Sequence, residues 1–319
     1  MLIVGSKIVI FGGTGGIGKE LTRSLIELSA RPRPREIVWI GRAYSDEIEG
    51  RIRDFRDAAA IAGNHTNISF SDNYDSVEGA DIVVVTAGHA RRVSMERTNL
   101  LKNNAPIIRN IGEAMREKAP HAFIIVATNP VDSMTAHMLN VTGGSPERIC
   151  GVGAEVDSAR FRNAIAGELK KNPRMVTNAI VLGEHGQSMV PIFSRAMLNG
   201  QPVEELVNEE QRARILSAVQ NGGRDIIQLI ATGGATQAPA AAIANVIESY
   251  IGNKRDIITT SLFLEGQFGG IEDVCMGTTG IVDAKGVRVV ETPVSPSEEL
   301  GMHISAQAIK LTNAELNML

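Results

Sequence analysis

Near the N-terminus a strand-like run, Lys7–Phe11, is followed at once by GGTGGIG and then by a helical pattern reaching Leu28. No other feature constrains the fold as strongly. Small residues let the backbone turn within a few positions between a buried strand and a helix. They also leave the unpaired N–H groups of the helix open to an anion. Gly13-Thr14-Gly15-Gly16-Ile17-Gly18 fits G-x-G-x-x-G, and Gly12, Gly15 and Gly18 fit the variant G-x-x-G-x-x-G. Between a first strand and a first helix this pattern points to a dinucleotide pyrophosphate; the alternative is a merely tight strand–helix turn.

The rhythm that follows supports the first reading. Strand signals at Glu36–Ile40, Ile68–Phe70, Asp81–Thr86, Ala122–Ala127 and near Ile149 alternate with helical patterns, among them Asp46–Ile61 and a helix from about Ser94 to Lys118 stopped by Pro120. Asp81–Thr86 is apolar at nearly every position, as expected of a strand covered on both faces. Such alternation predicts a parallel sheet with helices on both faces. After about residue 155 the pattern changes to long helices at Val156–Leu169, Glu209–Ile230, Pro239–Ile251 and from Ser297 onward. Strand-like runs lie between them at Met175–Leu182, Ile257–Leu264 and Val274–Val290. The fold class is therefore α/β: a Rossmann doubly wound parallel sheet over residues 1–153, then a mixed α+β domain over 154–319.

Composition excludes some classes. The formal net charge is −4 and no basic tract suggests nucleic acid or an anionic membrane surface. No stretch approaches the roughly 20 apolar residues of a membrane span, and the run in MLIVGSKIVIF is too short for a signal peptide. Cys150 and Cys275 sit far apart in apolar contexts. They read as free thiols in a reducing compartment unless the fold brings them together. The expectation is a soluble cytoplasmic protein. The six histidines are scattered and no Cys/His spacing suits zinc, so no metal is expected.

Against that acidic background, GHARRVSMERTNL at 88–100 gathers Arg91, Arg92 and Arg97. The loop leaves the fourth strand at the carboxyl edge of the sheet, where ligands of such folds bind. Guanidinium groups there match a carboxylate, although Arg92 alone reads as a solvated helix start. At the end of the second strand an NAD site usually carries an acid for the ribose 2′-hydroxyl. Here Ile40-Gly41-Arg42 stands instead, which suits a 2′-phosphate and NADP or dual use; the alternative is Arg42 stacked on adenine or turned to water. Further on, His185 lies between glycines in GEHGQS, where the backbone can hold it in a cleft. Asp157 and Arg160 are three apart and share a helix face, by itself an ordinary salt bridge.

Taken together, the glycine loop, RRVSMER, TNPVD at 128–132, VDSARFR at 156–162, GEHGQSMVP at 183–191 and GGATQAPAAA at 233–242 resemble the lactate/malate dehydrogenase family in order and spacing, over nearly the whole chain. The resemblance implies hydride exchange between NAD or NADP and a small 2-hydroxy acid. It makes His185 the proton-transfer base, Asp157 its orienting partner and Arg160 the clamp on the C1 carboxylate. It makes Arg97 the group that polarises the reacting carbonyl, and Asn129 a hydrogen-bond donor to substrate near the nicotinamide. It further implies cofactor contacts from Gly12, Gly13, Thr14, Gly15, Gly16, Ile17, Gly41, Arg42, Asn104, Thr128 and Asn129. Malate-type members resemble one another in placing arginine at the position of Arg91, where lactate-type members place glutamine. Ala235 falls where lactate-type members resemble a bulkier threonine. A malate-type, tricarboxylic acid cycle activity is thus implied, in a homo-oligomer with a tetramer favoured over a dimer; a lactate or other 2-hydroxyacid enzyme is the alternative. The chain departs from the family at Gln187, where aspartate is common, and in reading GHA for GVP. Two rival readings have less support. Tyr250 and Lys254 spell Y-x-x-x-K, the pair of short-chain dehydrogenases, but about 100 residues too late. A dinucleotide-sensing protein without turnover would need neither the His–Asp pair nor the arginines.

Overall fold

The structure, a computed structural model, describes residues 6–27, 33–89, 97–231 and 233–316, with Arg97 and Thr98 described by their backbone. The first half runs β1 (Lys7–Phe11), α1 (Gly16–Glu27), β2 (Glu36–Ile40), α2 (Asp46–Ile61), β3 (Asn67–Ser71), β4 (Ile82–Val85), α3 (Arg97–Lys118), β5 (Phe123–Val126), α4 (Val131–Thr142) and β6 (Ile149–Gly151). All neighbouring pairs among β1–β6 are parallel, in the order β6-β5-β4-β1-β2-β3. The order reverses beside β1, so a crevice opens where β1 and β4 end.

Alternation within the strands divides the core. Ile8 and Ile10 face one layer together with Leu21 and Leu25 of α1, while Val9 and Phe11 face the other with Leu101 and Ile108 of α3. Both faces are covered, which explains why these strands read as unbroken apolar runs.

The second half starts with α5 (Ala154–Glu168) and continues through β7 (Val176–Thr177), β8 (Val181–Leu182), β9 (Val190–Pro191), β10 (Met197–Leu198), β11 (Gln201–Pro202) and α6 (Val203–Leu206). Then come α7 (Glu209–Ile230), α8 (Gln237–Gly252), β12 (Asp256–Gly266), the four-residue α9 (Gln267–Gly270), β13 (Ile271–Asp283), β14 (Gly286–Val289) and α10 (Pro296–Leu316). Two sequence expectations are corrected. Met175–Leu182 is not one strand: a 3-10 turn at Pro173–Met175 precedes β7, and Asn178, with φ +54°, separates it from β8. Val274–Val290 is not one strand either. Asp283 Oδ1 accepts from Lys285 N–H at 2.9 Å and Gly286 takes φ +122°, folding the run into the β13–β14 hairpin.

The strands of the second half also continue the first sheet. β12 joins β6 antiparallel through one register pair, Ser261↔Gly151, giving the nine-stranded order β14-β13-β12-β6-β5-β4-β1-β2-β3. Ile243, Val246 and Ile247 of α8 pack in the same apolar layer as Ile8, Leu21 and Leu25. Among the described residues no helix is long and apolar enough to cross a membrane.

Candidate active site

The glycine loop divides its glycines by task. Gly12 turns with φ +82°, and a Cβ there would lie 2.8 Å from Ala87 N and from Thr86 Oγ1. The place of a Gly13 Cβ is filled by the Trp39 ring, 2.4 Å away at Cγ, and Gly18 sits against Gly13 Cα at 2.5 Å. These three are bare because strand, indole and helix meet there. Gly15 is different: among the described residues a Cβ would approach only Gly12 O, at 3.1 Å. The first helical bond of α1 runs from Lys19 N–H to Gly15 O at 3.0 Å, so the N–H groups of Gly16, Ile17 and Gly18 precede the ladder. The first turn of α1 holds no acidic residue. An open glycine, free N–H groups and an uncancelled helix dipole fit a pyrophosphate. Thr86, unremarked in the sequence reading, secures this turn by donating to Phe11 O at 2.9 Å and Gly12 O at 3.3 Å. A lone threonine closing an apolar strand was the available signal.

At the adenosine end, Gly41 N–H donates to Ser71 O at 3.2 Å, and a Cβ would meet Phe70 Cε2 at 2.9 Å. Arg42 is exposed and makes no hydrogen bond or ion pair among the described residues. The nearby start of α2 is acidic, with Asp46, Glu47 and Glu49.

Beyond β4 and β5 the expected cofactor residues separate. Asn129 is exposed. Thr128 is 4% exposed, its hydroxyl donating to Ala87 O at 2.8 Å and Val85 O at 3.2 Å. Asn104 has no exposed surface. Its carboxamide accepts from His89 N–H at 2.7 Å and donates to Asn129 O at 2.7 Å, so it braces the residues around the crevice instead of facing into it. Arg91 and Arg92 lie outside the described residues, as does the Arg97 side chain at the start of α3.

The second half brings His185, Asp157 and Arg160 together. Asp157, on α5 and 1% exposed, places Oδ2 2.6 Å from His185 Nδ1 and Oδ1 2.9 Å from an Arg160 terminal nitrogen. Burial pulls the imidazole toward its neutral form. The charge of Asp157 and its hydrogen bond outweigh that, with help from Asp132 and against Arg160, so the His185 pKa is raised. One carboxylate thus orients both an imidazole and a guanidinium, whose side chains remain 21% and 19% exposed. With Nδ1 committed to Asp157, Nε2 is the position left to exchange a proton.

Neighbours fix these groups further. Gly183 takes φ +86° and pairs with Gly277 across a bridge. Glu184 N–H donates to Ser305 Oγ at 2.6 Å, and the Glu184 carboxylate accepts from Ser188 N–H at 3.1 Å and Ser188 Oγ at 2.6 Å. Gly153 underlies the imidazole, where a Cβ would fall 2.7 Å from His185 Cγ. Arg160 runs along a glycine pair inside α7. A Cβ on Gly222 would come within 3.1 Å of Arg160 Cδ, and one on Gly223 within 3.5 Å of both terminal nitrogens. Sequence reasoning missed Gly153, Gly222 and Gly223; adjacent glycines within a strongly helical pattern were the available signal for the latter two. Gln187 is exposed and its carbonyl accepts from Gln220 Nε2 at 3.3 Å. Ala235 is half-buried, and the next residue, Thr236, presses on Gly16, whose Cβ would meet Thr236 Cγ2 at 2.5 Å.

Elsewhere, Cys150 and Cys275 are free and buried, burial pushing the Cys150 thiol up to about 12. Tyr250 is 6% exposed and stacked on Phe123 at 4.4 Å, and Lys254 pairs with Glu248 at 2.6 Å, so the Y-x-x-x-K spelling opens onto no cleft.

Known proteins match this chain over nearly its whole length. A family profile described as "lactate/malate dehydrogenase, NAD binding domain" matches residues 6–151, and one described as "lactate/malate dehydrogenase, alpha/beta C-terminal domain" matches 154–316. The chain belongs to the lactate/malate dehydrogenase family. It is thereby an NAD-dependent oxidoreductase. A malate dehydrogenase of Anaplasma marginale (strain St. Maries) is 36% identical over 304 residues, 93% of this chain and 94% of the relative. A malate dehydrogenase of Staphylococcus epidermidis is 34% identical over 305 residues, 95% of each. Among solved structures, Cryptosporidium parvum malate dehydrogenase superposes with a TM-score of 0.90 at 28% identity, covering 99% of this chain and 100% of the other. The lactate dehydrogenase of the same organism, complexed with lactic acid and nicotinamide adenine dinucleotide, also scores 0.90 at 28% identity, covering 99% of each.

Proposed function

We propose that the chain is a malate dehydrogenase, interconverting malate and oxaloacetate with NAD or NADP. The observation that carries this reading is Asp157 shared between His185 and Arg160, within hydrogen-bond distance of both. When bound, the nicotinamide takes up or supplies the hydride. In the oxidative direction His185 Nε2 removes the hydroxyl proton, and Asp157 stabilises the imidazolium that forms. In the reductive direction the same nitrogen returns the proton to the developing alkoxide. Arg160 holds the C1 carboxylate, a bidentate match for a planar guanidinium. Arg97 polarises the carbonyl as charge builds on its oxygen. Asn129, braced by Asn104, hydrogen-bonds the substrate beside the nicotinamide.

The choice of malate over lactate rests on Arg91 and on the relatives' names. A C4 carboxylate in a water-poor site is costly without a counter-charge, and Arg91 supplies one. The names of the sequence relatives agree, while the structural neighbours include both malate and lactate dehydrogenases. The cofactor choice has two sides. The N-terminal half has the family's NAD-binding description. Exposed, unpaired Arg42 beside Gly41 favours a 2′-phosphate and so NADP, while the acidic start of α2 opposes one. The substrate half begins at residue 154, and a homo-oligomer with a tetramer ahead of a dimer completes the reading. Absorbance of NADH at steady state tests it. Oxaloacetate should be reduced with a kcat/KM at least about a hundredfold above pyruvate; the reverse order would assign the chain to lactate chemistry.

A further inference from the structure

The His185 peptide is held by a second carboxylate. Asp132 lies in the first turn of α4 and is 1% exposed. Its Oδ2 accepts from the His185 peptide N–H at 2.8 Å, and its Oδ1 accepts from Ser261 Oγ at 2.7 Å. Ser261 is itself 1% exposed and belongs to the pair, Ser261↔Gly151, that joins β12 to β6. One side chain therefore links α4 of the first half, the catalytic loop and the long hairpin of the second half. Both donors, and the N-terminal end of α4, present positive potential to this buried carboxylate.

We propose that Asp132 is a positioning residue for His185, anchoring its peptide and adding a second buried negative charge that favours the imidazolium. The inference rests on His185 carrying the proton. Among the described residues, the charges that act on the imidazole are those of Asp157 and Arg160 from α5 and Asp132 from α4. Glu184 precedes it in the same loop, its carboxylate engaged with Ser188. β12 presents the Ser261 hydroxyl toward Asp132. When Arg160 is engaged by a substrate carboxylate, the charges of Asp157 and Asp132 both still favour the cation. Burial acts against the imidazolium, and Asp132 is among the charges that reverse this balance. The nearby Cys275 thiol feels the same anion, which adds to burial in raising its pKa.

A merely structural helix-end acid would stabilise α4 without reaching the ring. Asp132→Asn separates the two roles. The asparagine oxygen can still accept from His185 N–H and its nitrogen can donate to Ser261 Oγ, so the charge is lost and the hydrogen bonds are kept. In 15N-histidine NMR spectra of the whole chain, with the resonance assigned by its absence in His185→Asn, the imidazole midpoint should move acid by about one pH unit. The high-pH limb of kcat/KM for oxaloacetate reduction should move the same way, since reduction needs the imidazolium. An unmoved midpoint, with or without a uniform loss of activity, overturns the proposal. The NMR reading needs no substrate, so it stands even if the assignment to malate fails. If Asp132→Asn does not fold, the 13C carboxyl shift of Asp132 in the wild-type protein decides. A carboxylate from about pH 5 upward supports the proposal, and a neutral acid at about pH 7 overturns it.

Discussion

Gly153 and His185 are in contact so close that a single added carbon would displace the ring: a Cβ at residue 153 falls 2.7 Å from His185 Cγ and 3.0 Å from its Cβ. A Cβ there would also fall 2.9 Å from Val131 Cγ1, so the bare position lets the imidazole and Val131 of α4 close on the backbone. Gly153→Ala should lower kcat about a hundredfold by shifting the base from its line to the substrate, while NADH affinity by fluorescence titration stays at the wild-type value. A wild-type kcat would show that the ring has slack.

Arg91→Gln removes the charge assigned to the second carboxylate. Preference should move from oxaloacetate toward pyruvate, the ratio of kcat/KM values changing by about 10²–10³, as expected when one partner of a desolvated charge pair is lost. Steady-state assays with both keto acids check this; an unchanged ratio would place the specificity elsewhere.

Substitution of Arg42 tests the cofactor preference. With the guanidinium unpaired and exposed, Arg42→Ala should raise KM for NADPH about tenfold and leave KM for NADH within about twofold, a charge-assisted hydrogen bond being the difference. If NADPH use is indifferent to the substitution, Arg42 does not read the 2′ position.

Glu298 offers a test of stability against pH. Its carboxylate accepts from Ser194 N–H at 3.0 Å and Oγ at 2.5 Å, and from Ser295 N–H at 2.8 Å and Oγ at 2.9 Å. Burial alone would push this acid up; the Ser194 and Ser295 donors outweigh it and hold the acid below its ordinary 4.5. A folded pKa below the unfolded one contributes stability above the unfolded value, lost as pH falls through the folded value. Glu298→Gln should therefore cost about 2 kcal/mol in urea unfolding at neutral pH, with the difference shrinking below about pH 4.

The parallel half was legible because burial on both faces writes itself as unbroken apolar runs such as Ile82–Val85. The second half was less so, for local reasons. Two-residue strands like β7 and β8 are too short for a period to show, and a positive φ at Asn178 leaves little trace in composition. That β12 continues the first sheet rests on the one pair Ser261↔Gly151, which no local pattern announces. In the site, the helical spacing of Asp157 and Arg160 marked a shared face, and His185 stood out by its flanking glycines. The groups that hold them did not. Asp132 reads as an ordinary helix-start acid, Ser261 as a strand residue and Gly153 as a cap; only their long-range contacts give them meaning.

The glycine pair in α7 has a cost that the chain carries permanently. Gly222 and Gly223 interrupt a 22-residue helix, each giving up about 1 kcal/mol relative to alanine. The vacancy they leave is where the Arg160 side chain lies. Attempts to toughen this protein by filling helical glycines with alanine should spare these two positions, since each added methyl would crowd the Arg160 side chain.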